Sequence, residues 1–171
     1  MLAASALVGL ALVATAVAQV DPSYTECTVS GTSGSDHLAG TRGPDIICGG
    51  SGNDHIVAGG GGDVVNAGPG ADTVYGGAGG DRILGEGGGD ALYGGYGNDN
   101  LNGGAAGDRA SGGPGADRVT GGPGRDSLRG QGGRDTFYAR DSFRDVVNGG
   151  AARDRARTDR RDVRRSIERR F

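Results

Sequence analysis

Twelve aspartates, Asp36, Asp45, Asp54, Asp63, Asp72, Asp81, Asp90, Asp99, Asp108, Asp117, Asp126 and Asp135, follow one another at a spacing of nine residues. Two residues after each stands an apolar side chain, from Leu38 and Ile47 to Leu128 and Phe137. Two residues before each stands Gly, except at Ala106, and five before stands Gly, except at Ala58 and Ala67. The unit G-G-x-G-x-D-x-U-x is complete in Gly49, Gly50 and Gly52 before Asp54, and in Gly76, Gly77 and Gly79 before Asp81. It is complete again in Gly94, Gly95 and Gly97 before Asp99, in Gly112, Gly113 and Gly115 before Asp117, and in Gly121, Gly122 and Gly124 before Asp126. A file of carboxylates suits two kinds of chemistry. Either each Asp caps its own turn by accepting nearby backbone N–H groups, or neighbouring Asp side chains share a cation.

The rest of the unit determines how the carboxylates are carried. Six residues dominated by Gly do not form helix, because Gly costs about 1 kcal/mol per helical position relative to Ala and suits turns that need positive φ. The x-U-x segment that follows suits a short strand with one side chain inward. Turn and strand alternate, so eighteen residues complete a lap and the apolar positions form two facing rows, Leu38/Ile56/Val74/Leu92/Ala110/Leu128 and Ile47/Val65/Ile83/Leu101/Val119/Phe137. The expected fold is all-β: a parallel β-roll, a right-handed two-sheet solenoid of 18 residues per lap with short N- and C-terminal caps. The roll is expected over residues 31–157, regular over 31–139 and degenerate over 140–157, with caps at 19–30 and 158–171.

Stacking laps at the roughly 4.8 Å strand spacing also stacks the aspartates along two edges. Each neighbouring pair then repels by about 1 kcal/mol even at the dielectric of water, so a roll without cations opposes itself. The same turns expose backbone carbonyls, and hard oxygen ligands in a flexible cage favour Ca²⁺ over Zn²⁺ or octahedral Mg²⁺. The unit resembles the RTX, or haemolysin-type, calcium-binding nonapeptide repeat. The resemblance implies ions held between a turn and the turn eighteen residues on, by both Asp side chains and by main-chain carbonyls that include those of the glycine positions. Six turns on each edge leave five gaps, hence at most about ten ions. The cleanest gaps are Asp81 with Asp99 and Asp99 with Asp117, followed by Asp54 with Asp72. Weaker sites are expected where Ala106 takes the fourth turn position. The same holds where Glu86, Gln131, Thr32 or Thr41 takes the second, where a carbonyl is needed but a Cβ crowds the ion.

Composition rules out an ordinary globular core. Past residue 18, Leu, Ile, Val and Phe are 23 of 153 residues, a proportion at which chains depend on something other than apolar burial to fold. Collagen is excluded because Gly does not recur every third residue. Residues 1–18 carry no charge and end in Ala16-Val17-Ala18, the pattern of a signal peptide. The expected location is therefore secreted or cell-surface, with no stable membrane span after signal removal. In that oxidising setting Cys27 and Cys48 suit a disulfide, the alternative being two unpaired small apolar residues. An undistorted roll would hold their Cα atoms about 10 Å apart, more than the about 7 Å that a bridge tolerates. A bridge therefore requires the chain before Gly31 to leave the repeat register.

The tail differs in charge, with nine Arg against four acids over residues 150–171 and nine Arg against seventeen acids over 19–149. Val163, Ile167 and Phe171 have the spacing of a short amphipathic helix, a terminal strand being the alternative; either would cap the last lap. Mixed charge there favours a solvated cap, and no nucleic-acid partner is expected. His37 with His55 and Tyr75 with Tyr93 are expected as stacked outward pairs. No H-E-x-x-H, no G-x-S-x-G and no Lys is present, and the acids are absorbed by the repeat, so no catalytic activity is expected. The function expected is that of an exported protein that folds on binding several Ca²⁺ ions. A surface structural or adhesive role and an enzyme with an unrecognised site are the alternatives. A protein or polysaccharide partner is not specified by the sequence.

Overall fold

The computed structural model describes residues 26–170, so the expected signal peptide at 1–18 and most of the 19–30 cap lie outside the described residues. Every described element is a strand, and the strands form two parallel sheets of nine and eight members. Odd and even strands in chain order go to different sheets, so each lap contributes one strand to each. The register is eighteen residues: Leu38 lies beside Ile56, Ile56 beside Val74, Val65 beside Ile83, and Val119 beside Phe137. The chain is a β-solenoid of two facing sheets, as the nine-residue alternation requires.

The interior is thin because each half-lap supplies one large apolar side chain. Ile47, Val65, Ile83, Leu101, Val119 and Phe137 face Ile56, Val74, Leu92, Ala110 and Leu128, all buried, with Leu38 half-buried at the open first lap. Between laps the main chain carries the rest. Arg82 N–H donates to the Asp63 carbonyl at 2.8 Å and Gly79 N–H to the Tyr96 carbonyl at 2.7 Å, so turns as well as strands are bonded to their neighbours. For this reason many strands exceed the three-residue x-U-x. His55–Gly60 and Thr73–Ala78 run into their glycines, with Gly59 beside Gly77.

At the C-terminal end the strand alternative holds, and the repeat runs further than expected. The tail forms no helix among the described residues; Val163–Arg165 is a strand in register with Val146–Asn148, and the pairing continues to Arg169–Arg170. The reason is that Asp162 behaves as another repeat Asp. Val163 N–H donates to the Asp145 carbonyl at 2.8 Å, and Asp145 N–H donates to Asp162 Oδ1 at 3.1 Å. The solenoid thus runs past residue 157, and Ile167 packs partly on its core, while Phe171 lies outside the described residues. No helix among the described residues is long and apolar enough to cross a membrane.

At the other end Cys27 and Cys48 are bridged, with Cα atoms 6.0 Å apart. Val29 still pairs with Ile47, and Thr28 N–H still donates to the Ile46 carbonyl at 2.7 Å, but at Cys27 the chain leaves the register. Ile46 N–H donates to Thr28 Oγ1 at 3.0 Å, whereas one lap on Val64 N–H donates to a main-chain carbonyl, that of Asp45. The Thr28 hydroxyl replaces a carbonyl that has moved, and this departure from register brings the sulfurs together.

Candidate metal centre

From Asp45 onward the repeat aspartates are buried, each at most 6 % exposed. Their arrangement is the same from lap to lap. The N–H of each Asp donates to Oδ1 of the Asp one lap later: Asp63 to Asp81 at 2.9 Å, Asp81 to Asp99 at 2.8 Å, Asp99 to Asp117 at 2.9 Å. From Asp54 to Asp154 the carboxylate therefore does not cap its own turn but ties its lap to the one before. The ladder outlasts the strict spacing. Asp126 donates to Asp145 and Asp135 to Asp154, each at 2.9 Å across nineteen residues, so Asp145 and Asp154 extend the two columns by a lap.

The second oxygen has no such role. Oδ2 of Asp54, Asp63, Asp72, Asp81, Asp90, Asp99, Asp108, Asp117, Asp126, Asp135, Asp145 and Asp154 is buried without a hydrogen-bond partner. Leaving a buried carboxylate oxygen unmatched is costly, and the titration of these groups reflects that cost. Burial pushes Asp90, Asp108, Asp126 and Asp135 up to about 6 and Asp117 and Asp145 up to about 7, from an ordinary value of 3.8. The N–H that each accepts opposes the shift, and neighbouring carboxylates add to it. Asp63, Asp72, Asp81, Asp99 and Asp154 are raised from the same first cause.

Main-chain oxygens converge on the orphaned atoms. A methyl group added at Gly76 would lie 2.5 Å from both Asp81 Oδ2 and the Gly94 carbonyl oxygen, so carboxylate and carbonyl front the same space. The first glycines Gly49, Gly94, Gly112 and Gly121 likewise stand against the Oδ2 of their own turn's Asp. Ala58 and Ala67 carry a real methyl at this position, in the turns of Asp63 and Asp72. The second and fourth positions share a different demand. Gly50, Gly77, Gly95, Gly113 and Gly122 at the second, and Gly52, Gly79, Gly97 and Gly115 at the fourth, all have φ between 95° and 160°. Gly124 is the one fourth-position glycine of the clean units outside that group. At the second position the backbone conformation, and not only a carbonyl, is therefore required, because Glu86 and Gln131 adopt φ of 74° and 79° there. Ala106 is forced to 87° at the fourth.

The first two turns are built differently. Thr32 N–H and hydroxyl both donate to Asp36 Oδ2, at 2.6 and 2.9 Å, and Thr41 does the same to Asp45. The Thr41 contacts hold the Asp45 carboxyl below its usual value. Neither Thr has positive φ. Here each repeat Asp caps its own turn and its Oδ2 is already matched, as it is again at Asp162, whose Oδ2 accepts the Asp159 N–H at 2.7 Å.

Buried carboxylate oxygens without partners and carbonyls aimed at the same space form the donor set of a hard, oxygen-seeking cation. Residues 30–142 match the family described as RTX calcium-binding nonapeptide repeat (4 copies), in overlapping segments 30–65, 49–83, 57–92, 75–110, 84–117 and 111–142. The chain belongs to that family. No curated protein is similar enough to count as a relative. The RTX repeat is a calcium-binding unit, and the Asp ladder of this roll, with its free Oδ2 atoms, fits that ion. Sequence reasoning passed over Asp141 and Asp162. The only signal for them was the seven-residue turn Ala139–Asp145 and the shortened turn before Asp162, both breaks in the nine-residue count.

Proposed function

We propose that this chain is an exported protein whose roll folds on binding several Ca²⁺ ions between stacked turns. The observation that carries the reading is the row of twelve buried Oδ2 atoms without partners. Each ion would bridge the Asp of one turn and the Asp of the next lap, with turn carbonyls completing the shell. When bound, Ca²⁺ supplies charge compensation and oxygen coordination; the chain supplies everything else. Each Asp N–H to Oδ1 bond fixes the carboxylate so that Oδ2 points at the gap, and the first glycine leaves room for it. Six free Oδ2 atoms on each edge leave five gaps per edge, ten in all, running from Asp54 to Asp145 and from Asp63 to Asp154.

The roll acts as a calcium-dependent fold and not as a catalyst, since its acids are held by the ladder. Its setting is extracellular, where modules of this kind bind at about 10⁻⁴–10⁻³ M Ca²⁺ and where the Cys27–Cys48 bridge is stable. A scaffold role at a surface is compatible with this and is favoured by one exposed row: Val57, Tyr75 and Tyr93 lie side by side, the two tyrosine rings stacked at 4.9 Å. Equilibrium dialysis of the purified chain against Ca²⁺, with Mg²⁺ as competitor, tests the main reading. Several Ca²⁺ per chain undisplaced by Mg²⁺ supports it, and one or none refutes it.

A further inference from the structure

The lap that closes the Asp54 edge differs from those before it. The turn after Ala139 has one extra residue and places a second acid, Asp141, four residues before Asp145. One carboxylate oxygen from each of Asp126, Asp141 and Asp145 lies within 4.8 Å of the other two. Asp126 is 3 % exposed and Asp145 fully buried. In both, Oδ1 is occupied, by the N–H of Asp108 and of Asp126 respectively, and Oδ2 has no partner. Asp141 is fixed from two sides, its Oδ2 accepting Gly124 N–H and its Oδ1 accepting Phe143 N–H, each at 2.8 Å. Among the described residues none of the three pairs with an arginine. Three carboxylates are thus held together with two buried oxygens unmatched. The regular gaps have two carboxylates.

We infer that Asp126, Asp141 and Asp145 form a three-carboxylate Ca²⁺ site at the C-terminal end of the roll, the tightest of the series. The inference rests on the proposed calcium reading and deepens it. Calcium affinity rises with the number of charged ligands, and this gap has three carboxylates where the regular ones have two. Asp141 retains lone pairs for a cation beyond the two N–H groups that it accepts. Being the tightest, this gap is the one that fills first as Ca²⁺ rises.

The test is a Ca²⁺ titration of the full chain in competition with a chromophoric chelator, for the wild type, Asp141→Asn and Asp99→Asn. Asn keeps an oxygen for the Phe143 N–H and removes the charge together with the acceptor of the Gly124 N–H, so a weakened tightest step is read against the fold at saturating Ca²⁺. Asp141→Asn is expected to weaken the tightest step at least about tenfold and leave the later steps in place, while Asp99→Asn leaves the tightest step intact. If Asp141→Asn fails to fold at saturating Ca²⁺, Asp141→Ser replaces it, with a hydroxyl capping the turn as Thr32 caps Gly34. A wild-type curve reproduced by both Asp141 variants overturns the inference and leaves Asp141 as a turn cap. A wild type that binds no Ca²⁺ overturns the functional reading and this site with it.

Discussion

Replacing Asp99 by Asn should change stability in opposite directions with and without calcium. Asp99 is buried, accepts Asp81 N–H on Oδ1 and donates its own N–H to Asp117 Oδ1, and its Oδ2 has no partner. Asn preserves both ladder bonds and removes the charge. In chelator at about pH 8, above the raised values of the ladder, the variant escapes repulsion from Asp81 and Asp117. One lap away on either side, these contribute about 1 kcal/mol each even at the dielectric of water, so the metal-free roll gains about 2 kcal/mol. In calcium the same change removes a ligand from two gaps. An ion present at 100 times its dissociation constant stabilises by about 2.7 kcal/mol, so losing two costs about 5 kcal/mol. Far-UV circular dichroism with urea melts of both proteins, in chelator and in about 10 mM Ca²⁺, measures both quantities. Destabilisation of equal size in the two conditions would refute the reasoning, because Asp99 would then be a structural cap.

The ladder should respond to pH. Carboxyls raised to about 6 or 7 in the fold and ordinary when unfolded give the metal-free roll stability that is full below about pH 4 and lost as pH rises through 6 to 7. Chelated protein should therefore gain β signal on acidification, while Ca²⁺ affinity falls below about pH 7 as protons compete. Gly97→Ala should destabilise by more than about 2 kcal/mol in a calcium-saturated melt, since φ is +128° and a methyl meets the Gly79 carbonyl; Gly87→Ala, with nothing within 4 Å, should be nearly neutral. Cys27→Ser should cost about 3 kcal/mol in the same melt and expose the first two laps to proteolysis before the rest.

What was legible in the sequence was whatever obeys the period. The two apolar rows, the two Asp columns and the parallel eighteen-residue register follow from counting nine, because each side chain has the same neighbours in every lap. The division of labour within a carboxylate was not legible. That Oδ1 serves the preceding lap while Oδ2 stays free is a matter of a few ångströms that no spacing encodes. The Thr32 and Thr41 turns look like degraded metal sites in sequence, yet in three dimensions they are turns closed by a hydroxyl, with the oxygen that a cation would take already matched. The tail misleads because Val163 and Ile167 stand four apart, a helical interval, while the pairing of Val163 with Val146 is set by Asp162 beneath Asp145. One inserted residue between Asp135 and Asp145 left the continuation of the columns legible as a degenerate stretch over 140–157 but hid Asp141.

On the proposed function, calcium drives this roll to fold. Far-UV circular dichroism of the purified chain, titrated from chelator to about 10 mM Ca²⁺ with Mg²⁺ in parallel, tests it most directly. The account predicts a cooperative passage from coil to β structure with Ca²⁺ alone. A β spectrum already complete in chelator at neutral pH, unchanged by Ca²⁺, would contradict it.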